Sequence, residues 1–94
     1  MQPSTVTITQ EGRSGTVIHM EGEQRISGWW EFAGGDALAI VSMGSASEWE
    51  RAYPWAVDRR TIILRFVANA VLRQKVSGCS AGIEEVGGWI TLWR

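Results

Sequence analysis

The chain has 94 residues and a formal net charge of −1, because nine lysines and arginines stand against ten acidic residues. A chain of this length predicts one domain over residues 1–94. The balanced charge argues against a nucleic-acid partner. The sequence also lacks an apolar run long enough to span a membrane and a basic amphipathic segment that would lie on one.

Two features of the sequence predict a cytoplasmic protein. Residues 1–15 lack the basic start and the apolar stretch of a secretion signal. Cys79 is the only cysteine, so no disulfide can form within the chain, and this pattern is typical of a reducing compartment.

The first half of the sequence predicts four short strands, since apolar and polar residues alternate between turns that contain glycine. The strands are expected at residues 4–10, 16–21, 24–33 and 37–43. Short turns join antiparallel neighbours, so these four strands predict a β-meander.

A short helix is expected within residues 44–55. Ser45 or Ser47 can cap its first turn, because a serine hydroxyl accepts a hydrogen bond from the otherwise unpaired backbone N–H groups there. Trp49 and Tyr53 lie four residues apart and therefore share one side of this helix. We expect these two aromatic side chains to hold the short helix against the sheet.

The clearest helical pattern spans residues 58–76, with Asp58 as a favourable N-cap. Apolar residues recur on one side of this segment at helical spacing. The members of this stripe are Ile63, Leu64, Phe66, Val67, Ala70 and Val71. Residues 77–82 end the helix, and residues 83–86 and 89–94 predict a final hairpin.

These elements predict an α+β fold with the order ββββ-α-α-ββ. We expect a five- to six-stranded, mostly antiparallel sheet with one long amphipathic helix packed on one face. The strand order stays open at this stage, because the final hairpin can join either edge of the sheet or lie apart from it.

The central strands carry apolar residues on both faces, and one long helix can cover only one of them. Trp29 and Trp30 are neighbours in one strand, so their side chains point to opposite faces, and Trp30 is expected in the core. The second face is then predicted to be an interface with another protein chain. Its predicted members are Trp29, Val41, Met43, Trp89 and Trp93.

The six tryptophans are the one unusual feature of the composition. Exposed together, Trp29, Trp89 and Trp93 would form a patch of roughly 450–750 Å², whereas the largest patch on a typical monomer is roughly 300–600 Å². Aromatic residues are enriched at protein interfaces, and a symmetric dimer is the commonest way to cover such a patch. We therefore predict a non-catalytic interaction module, either a homodimer or a small adaptor or antagonist of another protein. The opposing interpretation places all six tryptophans in the core.

The sequence offers little for catalysis or metal binding. Cys79, His19 and Asp36 are the only combination that joins the single cysteine with the single histidine, and no local motif brings them together. One cysteine and one histidine cannot form a structural zinc site, so we expect no metal and no cofactor. A rival hypothesis is a small-ligand or enzymatic pocket between sheet and helix, lined by aromatic residues, with His19 or Cys79 near its mouth.

The long helix is locally basic. Its exposed cations form a possible electrostatic patch of Arg65, Arg73 and Lys75, for which the simplest explanation is a solvated helix face. A contact with phosphates or an acidic surface through this patch is the weakest of the functional hypotheses.

Overall fold

The computed structural model describes residues 4–94. Residues 1–3 lie outside the described residues. They are the first residues of the segment 1–15, for which the sequence predicts no secretion signal. Four strands come first along the chain: β1 (Ser4–Ile8), β2 (Ser14–Glu21), β3 (Gln24–Phe32) and β4 (Ala37–Ser42). Each pairs antiparallel with the next, as the alternating pattern predicts.

The β2–β3 hairpin shows how the local sequence fixes the register. Glu21 pairs with Gln24, which leaves a two-residue loop of Gly22 and Glu23. Gly22 has φ 59°, a left-handed conformation that glycine adopts at little cost. A glycine at the first loop position is typical of the type II′ turn, whose twist matches that of paired strands.

The second half of the chain supplies the helices and the last hairpin. Helix α1 (Ala46–Ala52) is followed by a 3-10 helix (Pro54–Arg59), helix α2 (Arg60–Gln74), β5 (Ser80–Glu84) and β6 (Trp89–Trp93). Strand β6 inserts between β4 and β5, which gives a single six-stranded sheet in the order β1-β2-β3-β4-β6-β5. The predicted α+β class and element order are confirmed, and the hairpin left open by the sequence joins the β4 edge.

The start of α1 follows the prediction. Ser45 is the N-cap, and its hydroxyl accepts a hydrogen bond from the Glu48 backbone N–H at 3.2 Å. The Glu48 carboxylate in turn accepts one from the Ser45 backbone N–H at 2.9 Å, which completes a capping box. Trp49 and Tyr53 lie edge to face with ring centroids 5.7 Å apart, and Trp49 is fully buried against the core.

The start of α2 differs from the prediction. Asp58 lies inside the 3-10 helix, and the residue before α2 is Arg59, whose side chain makes no capping hydrogen bond. Pro54 explains the difference: its fixed φ is suited to the first position of a helix, so helical backbone begins there rather than after Asp58. The last hairpin also begins earlier than predicted, at Ser80.

The core lies between the sheet and α2. Five members of the predicted apolar stripe of α2 are buried, and Phe66 is partly buried. They pack with core-facing residues of the strands and of α1, which include Val17, Ile26, Trp30, Val41, Met43, Trp49, Ile90 and Leu92. This arrangement covers one face of the sheet. The other face, which we call the outer face, carries the alternate residues of the same strands.

Candidate protein-binding face

Three large aromatic side chains stand on the outer face. Trp29, Trp89 and Trp93 are 42%, 40% and 39% exposed, whereas Trp30, next to Trp29 in β3, is 8% exposed. The neighbouring tryptophans therefore point to opposite sides of the sheet, as the strand geometry requires. The placement of all six tryptophans in the core is wrong for these three.

The strand register brings Trp29 and Trp89 together across a small residue. Ser42 of β4 pairs with Trp29 on one side and with Trp89 on the other. Because the serine side chain is short, the two indoles reach over it and meet edge to face, with centroids 5.8 Å apart and an interplanar angle of 83°. This geometry is favourable for aromatic pairs.

Two glycines leave the space in which the Trp93 and Trp89 side chains lie. A Cβ atom on Gly82 would lie 2.7 Å from Cζ3 of Trp93, so the Trp93 ring occupies the space beside Gly82 of β5. A Cβ atom on Gly87 would lie 2.7 Å from Cδ1 of Trp89. Both indoles are thus restrained by the chain while their other sides face solvent. Restrained aromatic side chains lose little conformational entropy when a partner covers them.

The surroundings of the tryptophans are mixed. Ile40 lies between Glu31 and Thr91 on the outer face and is partly buried. Arg25 and Glu84 stand further out on β3 and β5 and are exposed. The outer face therefore has an aromatic centre and a charged periphery of both signs, which is the anatomy of many protein interfaces.

The exposed aromatic area is smaller than the sequence suggests. At 39–42% exposure and roughly 150–250 Å² per aromatic side chain, the three tryptophans leave roughly 180–300 Å² accessible. A stable interface buries about 800 Å² on each partner. The tryptophans would therefore serve as the central anchors of a contact whose remaining area comes from the polar strand positions around them.

Val41 and Met43 do not belong to this face, so their assignment to the predicted interface is wrong. Val41 is fully buried and Met43 is 1% exposed. The register gives the reason: Val41 pairs with Trp30 of β3 and with Ile90 of β6, both of which face α2. The outer positions of β4 are instead Ile40 and Ser42.

The predicted basic patch consists of exposed residues, since Arg65, Arg73 and Lys75 all lie on the solvent side of the α2 region. The other two arginines of this segment are engaged in contacts within the chain. Arg59 forms two hydrogen bonds with the Glu21 carboxylate, and Arg60 is buried at 8% exposure. Less positive charge is therefore available on the helix surface than the sequence suggests.

The Cys79, His19 and Asp36 combination stays dispersed over a turn, strand β2 and another turn. Within residues 4–94, no group of three His, Cys, Asp or Glu side chains is placed to hold a metal ion. The contacts of His19 are with Glu21, at 3.7 Å, and with the edge of Phe66, at 5.5 Å between centroids. Cys79, His19 and Asp36 therefore do not form a nucleophile paired with a base.

His19 lies on the core-facing side of β2, against Phe66 of α2. It is 1% exposed, and neither ring nitrogen has a hydrogen-bond partner among the described residues. Burial lowers the pKa of His19, and the nearby Glu21 carboxylate only partly opposes this effect. The hydrogen bonds from Arg59 lower the pKa of Glu21 in turn. The cluster thus favours neutral His19 beside charged Glu21.

This cluster predicts an acid-sensitive fold. Because the pKa of His19 is lower in the folded state than its ordinary 6.5, the unfolded chain binds more protons at mildly acidic pH. The contribution of neutral His19 to the free energy of unfolding is fully present above pH 6.5. It is lost as the pH falls through the pKa of His19 in the folded protein. We expect the urea midpoint to fall between about pH 7.5 and about pH 5, and His19→Leu to reduce this fall. An equal fall in the variant would assign the acid sensitivity to other groups.

A cavity of about 130 Å³ lies on the core side, between the sheet and the C-terminal end of α2. Trp30, Phe32 and Val71 contribute to its walls, and Gln10 and Lys75 are its polar lining residues. The aromatic lining agrees with the rival hypothesis of a pocket between sheet and helix. The expected position of His19 or Cys79 at its mouth is wrong, since neither lines the cavity.

Sequence reasoning missed several residues that shape these two sites. Ser42, Gly82 and Gly87 create the space in which the outer indoles lie. Lys75, predicted only as a member of the basic patch, also lines the cavity. A small residue on a strand beside large aromatic ones is the one signal in the sequence that points to such contacts, because glycine within a strand often marks a close approach.

The fold and the outer face together define a small α+β protein with an uncovered aromatic sheet face. No helix in the described part of the chain combines the length and the apolar character needed to cross a bilayer. Comparisons with protein-family models, with curated proteins and with solved structures find no match for this chain.

Proposed function

We propose that this chain is a non-catalytic protein-interaction module whose outer face packs against the outer face of a second copy. One observation carries the proposal: Trp29, Trp89 and Trp93 stand on the sheet face that no helix of residues 4–94 covers, each about two-fifths exposed and each held by its neighbours. Tryptophan is among the residues most enriched at hot spots, the few interface positions that contribute most of the binding energy.

Charge supports a second copy as the partner. A symmetric dimer needs a face that complements itself, and the periphery of this one carries Arg25 together with Glu31 and Glu84. Cations and anions can therefore pair across a two-fold axis. The net charge of −1 on each copy adds little repulsion. Sheets that pack face to face at about 10 Å bring such side chains into contact.

The proposed setting is the cytoplasm. It is supported by the single Cys79, which is partly buried and unpaired among the described residues. A protein that uses no disulfide is suited to a reducing compartment.

Substitution of the outer tryptophans tests the proposal. Trp29→Ala, alone and with Trp89→Ala, is expected to shift the dimer to monomer in sedimentation velocity at micromolar concentration. The physical reason is the loss of one or two anchors, since truncating such a residue weakens association by about 2 kcal/mol or more. Acrylamide quenching of tryptophan fluorescence should rise when the wild-type protein is diluted through the same transition.

Ile62→Ser is the matched control, because Ile62 is the most exposed large apolar residue of α2, at 66%, and lies away from the outer face. It should leave the sedimentation profile unchanged. A wild-type protein that stays monomeric across the concentration range would reject the dimer, and equal weakening by Ile62→Ser would place the contact elsewhere on the surface.

A further inference from the structure

We propose that the cavity between the sheet and the end of α2 binds a small monocarboxylate whose apolar part is one ring or a short alkyl chain. This site lies on the opposite side of the sheet from the outer face, so it does not depend on the interaction module. Its walls come from β1, β2, β3, β4 and β6 and from α2, which makes it part of the folded core rather than a surface groove.

The size of the cavity limits the ligand. It measures about 130 Å³, and an apolar cavity of about 150 Å³ in another protein binds benzene. A single six-membered ring or a chain of a few carbons therefore fills it. A nucleotide, a sugar chain or a long fatty acid does not fit.

The lining determines the chemistry of the buried part of the ligand. Val17, Val41 and Val71 present only methyl groups. The indole N–H of Trp30, the one aromatic donor in the wall, already donates to the Thr9 carbonyl at 2.8 Å. The other amide donor of the wall, Gln10, donates to the Gly12 carbonyl at 3.0 Å. Among the valines, a polar group would have no donor to replace its bonds to water, and burying it unpaired is costly. The buried part of the ligand must therefore be apolar.

Charge determines the exposed end of the ligand. Lys75 lines the cavity, is exposed, and has no carboxylate within salt-bridge distance among residues 4–94. None of the residues in the cavity wall is acidic. An anionic group at the mouth meets positive charge while its apolar part fills the interior.

Methyl NMR spectra of the full chain test this site, with benzoate as the probe and benzyl alcohol as the uncharged probe of similar shape. We expect saturable shifts of the Val17, Val41 and Val71 methyl signals with a dissociation constant below about 1 mM for benzoate. The alcohol should bind roughly two- to fivefold more weakly, since an exposed charge pair contributes only modestly.

Two variants separate the apolar and the charged parts of the proposal. Lys75→Gln should remove the preference for benzoate over the alcohol, whereas Arg73→Gln, an exposed cation of α2 outside the cavity, should keep it. Ala39→Leu places a larger side chain in the cavity wall and should abolish the methyl shifts with both probes, and Ala39→Val serves the same purpose if the leucine variant fails to fold.

Three results would overturn the proposal. The first is the absence of saturable methyl shifts with either probe. The second is an unchanged preference for benzoate in Lys75→Gln. The third is unchanged binding in a folded Ala39 variant, which would show that the probes bind outside the cavity.

Discussion

Replacing Arg60 with alanine is expected to lower the free energy of unfolding by about 3 kcal/mol, because its guanidinium joins three parts of the fold. The side chain donates to the Gly44 carbonyl at 3.0 Å and to the Glu85 carbonyl at 2.9 Å from Nε. Its terminal carbon lies 4.6 Å from the centroid of the Trp49 ring. These contacts tie the turn between β5 and β6 to the start of α1.

The cost arises from what the substitution leaves behind. Arg60 is 8% exposed and Gly44 is partly buried, so the Gly44 carbonyl would lose a charged donor in a place where water has limited access. Burial lowers the pKa of Arg60, against the opposing effects of Glu85, Glu84 and Glu48. The guanidinium contacts two backbone carbonyls and the face of the Trp49 ring. Removing this buried charge recovers part of its desolvation cost and limits the loss to a few kcal/mol.

Urea unfolding of Arg60→Ala measures the effect, and Arg65→Ala is the matched control because it removes an exposed arginine from the same helix. Arg60→Lys should also be destabilising, because an ammonium group cannot reproduce the fork that reaches both carbonyls. If Arg60→Ala unfolds at the same urea midpoint as the wild-type protein, the two carbonyls have found other donors.

Arg60 also affects the candidate interface. The β5–β6 turn that it holds leads directly into Trp89, and within this turn the Glu84 carboxylate accepts a hydrogen bond from the Gly87 N–H at 2.6 Å. Arg60 thus holds the turn that precedes the exposed Trp89 indole. A binding residue keeps one geometry when packing and hydrogen bonds hold the residues around it.

The sequence predicts the outer tryptophans but not the outer residues of β4. Trp29 and Trp30 are adjacent, so strand geometry alone sends one of them outward. In β4, alternate positions are apolar on both sides, with Ile40 on one and Val41 on the other, so the pattern does not distinguish the two faces. Val41 lies inside because it pairs with Trp30. This register depends on the pairing of two strands and cannot be read from the pattern of β4 alone.

The remaining differences have the same origin. Asp58 satisfies the local rule for an N-cap, yet Pro54 starts helical backbone earlier and the rule is overridden. The burial of Arg60 and of His19 depends on which segments meet over α2. Helix periodicity assigns Arg60 no partner, and strand alternation gives His19 a face without saying what covers it. Local patterns therefore predict the elements, and long-range packing decides which polar residues become buried.

Trp30→Ala is expected to lower the free energy of unfolding by about 3–5 kcal/mol, the usual cost of removing a buried aromatic side chain. The Trp30 indole crosses Gly15 of β2, where a Cβ atom would lie 2.7 Å from its ring nitrogen, and donates to the Thr9 carbonyl at 2.8 Å. It also meets Phe32 edge to face at 5.1 Å. The substitution removes these contacts together with the packing against Val41.

Trp29→Ala is expected to weaken association more than it lowers the free energy of unfolding, although Trp29 and Trp30 are adjacent. Its side chain is 42% exposed, so truncation opens no enclosed cavity, and the monomer should lose far less stability than in Trp30→Ala. A dimer is stabilised by mass action, so unfolding must be measured at a concentration below the association transition, where only the fold is reported. Sedimentation above that transition then reports the interface. If Trp29→Ala destabilises the diluted protein as much as Trp30→Ala, the outer indole acts as a structural residue and the aromatic face loses its central anchor.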